Sequence, residues 1–188
     1  FNAAIAGRPD LMGDRTSLTL YEGMTGIVEN VFMNIKTRNY TITSEVELKD
    51  GNSNGVIISQ AGRFGGWSLF MKDGKVCHEY NFFGLLRTKV VSPKSLAAGK
   101  HTIKYEFIID APKPGSGGKC ILSIDGEKVA EGQIPKTQPF VYSADEGVDV
   151  GVDNETNVSN DYKEGDNKFS GKIKKVTVDI SQKNPKQS

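Results

Sequence analysis

What this sequence lacks narrows its possibilities before any motif is read. Its 24 basic residues all but balance 23 acidic ones. That leaves no field to draw nucleic acid or an anionic membrane surface, and neither is expected as a partner. No apolar run approaches the roughly 18 residues of a membrane-spanning helix. The two cysteines, Cys77 and Cys120, stand far apart without a C-x-x-C spacing. A zinc or redox centre is therefore not expected; two buried free thiols are, with a single disulfide as the alternative. No stretch of ten or more residues keeps a 3.6-residue apolar period, which excludes helices longer than a turn. The chain opens at Phe1 without a leader, which decides nothing by itself.

Catalytic signatures are missing too. Only His78 and His101 could serve a Ser-His-Asp arrangement, and no G-x-S-x-G elbow occurs. Glu45 and Glu47 share one face of a strand, near the spacing of an inverting glycosidase pair. Two threonines share that face, and nothing nearby would raise one pKa as a general acid requires. A solvated outer face is the reading. His101, following Gly-Lys at a strand start, is expected to be exposed, and His78 to be interior.

What is present is strand pattern. Gly55–Gly84 holds the single Trp and four of the nine Phe, with Asp73-Gly74 between two apolar runs. An Asp-Gly pair in that setting predicts a two-residue hairpin turn, because both central residues must accept φ > 0. The turn sets Lys72 opposite Lys75, Leu69 opposite His78 and Trp67 opposite Tyr80. One face then carries Trp67, Leu69, Met71, Val76, His78, Tyr80 and Phe82. The other carries Ser68, Phe70, Lys72, Lys75, Cys77, Glu79 and Asn81. So apolar a face needs a second layer. Tyr40–Leu48 alternates with Tyr40, Ile42, Val46 and Leu48 inward, and Ile103, Tyr105, Phe107 and Ile109 line one face of another strand. A second hairpin at Asp125-Gly126 sets Leu122 opposite Val129. In the last strand the apolar parity changes between Ile173 and Val176, which predicts a bulge. Many short strands with turn signals between them predict an all-β fold over residues 39–180, a β-sandwich or barrel, and an open twisted sandwich fits the strand lengths better. Residues 1–38 read as an irregular lead-in packed on it and 181–188 as a polar tail.

Three features could bind something. Arg63 lies among glycines in GRFGGW, where backbone can approach closely and a guanidinium can grip a carboxylate or sulfate; a structural ion pair to an acidic loop is the alternative. Trp67, His78 and Tyr80 could form an aromatic sugar-binding face, or they could fill the core. Between Asp145 and Asn167 the acidic residues outnumber lysine, and Asp149, Asp153 and Asp161 are candidate ligands for a structural calcium ion, since calcium accepts oxygen donors at irregular spacing. The loop is expected to be mobile unless a cation organises it. Asn39, Asn154 and Asn157 open glycosylation sequons, relevant only in a eukaryotic secretory host.

Several stretches, taken in order, resemble the C-terminal region of bacterial arylsulfatases. They include Tyr21–Glu29, Asn39–Glu47, Gln60–Ser68, Tyr80–Gly84, Gly99–Ile103, Thr137–Phe140, Ser143–Glu146, Asp149–Gly151 and Phe169–Ile173. The resemblance covers roughly residues 8 to 180. It implies a non-catalytic accessory domain, a concanavalin- or laminin-G-like jelly-roll β-sandwich of two antiparallel sheets, that packs on the sulfatase catalytic domain of the same parent chain. Such a domain would be secreted or periplasmic, and a monomer is expected. The family's C/S-x-P-x-R nucleophile motif is absent: His-Glu-Tyr follows Cys77 and Ile-Leu-Ser follows Cys120. No catalytic residue carries over, and the chain alone is not expected to be an enzyme. The second reading is a carbohydrate-binding, lectin-like module. A laminarinase-type hydrolase is remote, because its E-x-D-x-x-E strand is missing.

Overall fold

The computed structural model describes residues 16–27, 32, 34–139, 142, 146–154 and 156–180. Within them the chain forms eleven strands and no helix: β1 Ser17–Leu20, β2 Tyr40–Leu48, β3 Gly55–Gly62, β4 Gly65–Lys72, β5 Lys75–Phe82, β6 Leu86–Val91, β7 Gly99–Ile109, β8 Ser116–Ile124, β9 Glu127–Lys136, β10 Val148–Val150 and β11 Lys172–Ile180. Two antiparallel sheets result, ordered β1-β11-β2-β7-β8-β9 and β10-β3-β4-β5-β6. This is the expected two-sheet jelly roll. β1 pairs with β11, so part of the stretch read as a lead-in belongs to the sandwich itself.

The hairpin chemistry holds in detail. Asp73 and Gly74 both take positive φ, as do Asp125 and Gly126. Across the first turn the register is Lys72↔Lys75, Leu69↔His78 and Trp67↔Tyr80, as the two-residue loop dictates. Beyond the second turn a bulge between Leu122 and Ser123 moves Leu122 opposite Ala130 rather than Val129. The parity change in the last strand is also a bulge, between Ile173 and Lys175. β6 was not anticipated, because Leu86–Val91 has no clean alternation and leaves only Val90 buried.

The core between the sheets contains Ile42, Val46, Trp67, Leu69, Tyr105, Phe107, Leu122, Ile173 and Val178. Cys120 is buried there as a free thiol. The five-stranded sheet is also covered on its other side. Its outer face holds a second cluster of Val56, Phe70 and Cys77 with Tyr162 packed against it. Ser68, Glu79 and Asn81 on that face are buried as well. The cover is the loop between β10 and β11, residues 151–169, which includes the buried Val158 and Ser159. Strands covered on both sides read as nearly unbroken burial rather than alternation, and β3 to β5 do so.

Candidate functional site

Two hairpin tips meet at one end of the five-stranded sheet. The β3–β4 tip presents Arg63 and Phe64; the β5–β6 tip presents Phe83, Gly84 and Leu85. A Cβ built on Gly84, whose φ is +70°, would lie 3.2 Å from the Arg63 carbonyl oxygen. Glycine therefore lets the tips touch and also supplies the left-handed turn geometry. Phe83 beside it takes φ +52°, unusual for an aromatic residue.

Asn81 fastens this arrangement. Its Nδ2 donates to the carbonyls of Gly62 (3.3 Å), Arg63 (2.9 Å) and Val158 (3.2 Å), and its Oδ1 accepts the Gly84 N–H at 2.8 Å. One buried amide thus ties both tips to the covering loop. The platform leaves Phe64 74% and Leu85 85% exposed, with Phe83 and Leu86 each a little under half exposed. The Arg63 side chain is 58% exposed, and its guanidinium pairs with Glu164 on the loop at 3.3 Å. This is the ion pair weighed as the alternative for Arg63. At such exposure it contributes little to stability and leaves the guanidinium free to exchange partners.

The other aromatic candidates lie elsewhere. Trp67 is fully buried, its indole N–H donating to Gln60 Oε1 at 2.8 Å. The His78 ring stacks on Tyr105, centroids 3.5 Å apart, with Trp67 at 6.1 Å beyond it. Burial holds the His78 imidazole down to about 3, so it is a neutral core group, and its Nε2 has no partner. The Tyr80 hydroxyl accepts the Gln138 N–H and lies 3.3 Å from the Tyr142 hydroxyl; burial pushes it up to about 12. None of the three offers an open ring face, so the sugar-stacking role considered for them is corrected. The hairpin's apolar face is the core.

The acidic loop is organised by its own hydrogen bonds. Asp149 accepts the N–H groups of Gly26 (2.7 Å) and Asn154 (2.9 Å), one on each oxygen. Asp153 accepts the Val158 N–H at 2.9 Å and the Tyr162 hydroxyl. Asp161 pairs with Lys89. Asn167 accepts the Asp153 N–H and donates to the carbonyls of Asp153 and Lys163. Among the described residues no three His, Cys, Asp or Glu side chains come together as metal ligands. Backbone N–H groups, the Tyr162 hydroxyl and Lys89 thus engage most of the oxygens of Asp149, Asp153 and Asp161, while Asp153 Oδ1 has no partner. The sequence reading missed that N–H groups can do this work.

On the outer face of the six-stranded sheet a groove of about 470 Å³ is lined by Glu45, Glu47, Lys100, His101, Asp125 and Lys172, among others. Glu45 pairs with Lys175 at 3.3 Å, as a solvated face would have it. His101 is not free: its Nδ1 lies 2.7 Å from Asp125 Oδ2 and its Nε2 2.8 Å from the Ala97 carbonyl oxygen. The groove mixes both signs of charge and has no aromatic lining, so the tips are the better candidate for recognition.

Neither a protein-family model nor a curated protein matches the chain. Solved structures do. The CBM40 of the Ruminococcus gnavus IT-sialidase bound to α2,3-sialyllactose superposes with a TM-score of 0.57 at 15% identity, over 89% of this chain and 92% of that one. The leech intramolecular trans-sialidase gives 0.54 at 15% identity, over 91% of this chain but 26% of that one. Domains LG4-5 of the mouse laminin α1 chain give 0.51 at 14% identity, over 95% and 44%. At such identities the likeness is one of fold: the chain has the jelly-roll architecture of these domains.

Proposed function

We propose that this chain is a non-catalytic carbohydrate-binding module whose site is the joined hairpin tips and whose ligand is an acidic oligosaccharide. The observation that carries this is an exposed aromatic ring, Phe64, beside an exposed guanidinium, Arg63, on a backbone braced by a buried amide. A phenyl face can stack on the apolar face of a pyranose, while Arg63 grips a carboxylate or sulfate bidentately. A rigid platform loses little entropy on binding. The fold likeness to a CBM40 solved with sialyllactose, over most of both chains, supports the reading.

The test is calorimetric titration with sialyllactose, a sulfated oligosaccharide and a neutral one. At least one acidic ligand should bind saturably, Phe64→Ala should weaken it tenfold or more, about 1.4 kcal/mol, and Arg63→Ala should erase the preference for acid. Both variants should melt with the parent. Saturable binding unchanged in Phe64→Ala would move the site, and no binding by any of the three would end the reading.

A second reading keeps the chain as the accessory domain of an arylsulfatase-type enzyme. It is favoured by the side-by-side exposure of Phe64, Phe83, Leu85 and Leu86, since contiguous apolar patches mark contact surfaces. The stretches Gln60–Ser68 and Tyr80–Gly84, which resemble that family, meet there through Arg63 and Gly84. A C/S-x-P-x-R motif encoded upstream of Phe1 would favour it; an unrelated upstream sequence would remove it.

A further inference from the structure

Arg63 is fixed in its backbone and loose in its side chain. Its N–H donates to Thr156 Oγ1 at 3.1 Å, and its carbonyl accepts from Asn81 Nδ2 at 2.9 Å. The covering loop and the buried tip amide thus hold its main chain between them. Its side chain is half exposed, and one guanidinium nitrogen donates to Glu164 Oε2 at 3.3 Å. The guanidinium can leave Glu164 without disturbing the platform that carries it.

Glu164 is brought there by a tight turn. Lys163 and Asp166 form an antiparallel bridge, and the Asp166 N–H donates to the Lys163 carbonyl at 3.2 Å. Glu164 and Gly165 are the central pair, and Gly165 takes φ +73°, which glycine allows at the second central position. The buried Asn167 donates to the same Lys163 carbonyl at 3.0 Å and so ties the turn to the loop. The carboxylate is therefore delivered to Arg63 by hydrogen-bonded backbone. What it offers is nonetheless weak: one oxygen on one nitrogen, between side chains that are 58% and 51% exposed. A carboxylate or sulfate on a docked ligand can take two parallel N–H bonds from the same fork.

We propose that Glu164 is a built-in competitor for Arg63 and determines the specificity of the site at the tips. A neutral sugar leaves the pair closed, while the ligand's bidentate anion replaces Glu164 on the guanidinium. The site then admits ligands whose acidic group lies within reach of a ring stacked on Phe64, and each binds less tightly than the bare guanidinium would allow. That the anion is borne by a saccharide rests on the carbohydrate reading; the competition for the guanidinium does not.

Inorganic sulfate, followed through the Arg63 side-chain resonances by NMR at constant ionic strength, tests the competition without a sugar. Half-saturation in Glu164→Gln should come at a concentration about threefold or more below that of the wild-type chain, within the range of an exposed ion pair. An equal midpoint overturns the competitor, as does the lack of any sulfate response in Glu164→Gln. A higher midpoint overturns it too, since Glu164 would then be positioning the guanidinium. Titrations with sialyllactose and a sulfated oligosaccharide carry the test to saccharides. Glu164→Gln should bind at least one of them about threefold more tightly, and the gain should vanish in an Arg63→Ala background. Saccharide binding without the gain, or a gain that survives the loss of Arg63, overturns the role in specificity. A sulfate gain with no saccharide binding in either chain ends the carbohydrate reading and leaves the competitor standing.

Discussion

Trp67→Ala should remove about 3–5 kcal/mol of stability, because a fully buried indole leaves both its transfer energy and a cavity behind. The ring stacks beside His78 and lies 6.5 Å from Phe32, so its loss opens a space that no single neighbour can fill. Gln60 Oε1, buried with it, would lose its donor, a further destabilising effect of roughly 1–3 kcal/mol if no water enters. Urea titration followed by far-ultraviolet circular dichroism measures this. A shift below about 1 kcal/mol would mean that the ring is accessible after all, and the sugar-stacking role excluded for it would have to be restored.

Two buried groups should make stability nearly flat in mildly acidic solution by opposing one another. Burial lowers the His78 imidazole from 6.5 to about 3. Between those values the unfolded chain binds a proton that the folded chain refuses, so this group makes stability fall as pH drops. Burial raises the Asp153 carboxyl from 3.8 to about 7. There the folded chain keeps a proton that the unfolded chain has released, so this group makes stability fall as pH rises. Each slope is about 1.4 kcal/mol per pH unit. They cancel between 3.8 and 6.5, where the windows overlap. Removing one group should unmask the other. Asp153→Asn should gain stability, of order 3 kcal/mol, from about pH 4 to 6.5, and His78→Phe should lose a similar amount over the same range. Urea midpoints collected across that range check both. Variant profiles parallel to the wild type would show that neither group is perturbed as its surroundings dictate.

The sandwich was legible because period-two alternation and Asp-Gly turns are local signals. Ile42, Leu69, Tyr105 and Phe107 could each be assigned a face without knowing what lay across from it. The Ile173–Lys175 bulge was legible for the same reason. The covered outer face was not: what buries Ser68, Glu79 and Asn81 arrives from residues 151–169, and no local pattern connects the two segments. A hint was available in Phe70 and Cys77, an apolar pair on a face otherwise reading as polar. The candidate site was half legible. Glycines around Arg63 marked the tip, but its joining to the β5–β6 tip through Asn81 is a long-range fact. The order of the acidic loop was not legible either, because composition counts carboxylates and not the N–H groups that Asp149 and Asp153 accept.

The central position of β2 bears on how quickly the protein can be made. It lies between β11 and β7, pairing Val46 with both Ile173 and His101. During synthesis its β7 edge can close early, but its β11 edge stays open until Lys172–Ile180 has emerged. Such sequence-distant pairing places this fold among slow folders, with loop closure setting the rate. A ribosome-bound intermediate would thus carry a bare strand edge and an uncovered five-stranded sheet, the surfaces through which nascent β-proteins aggregate.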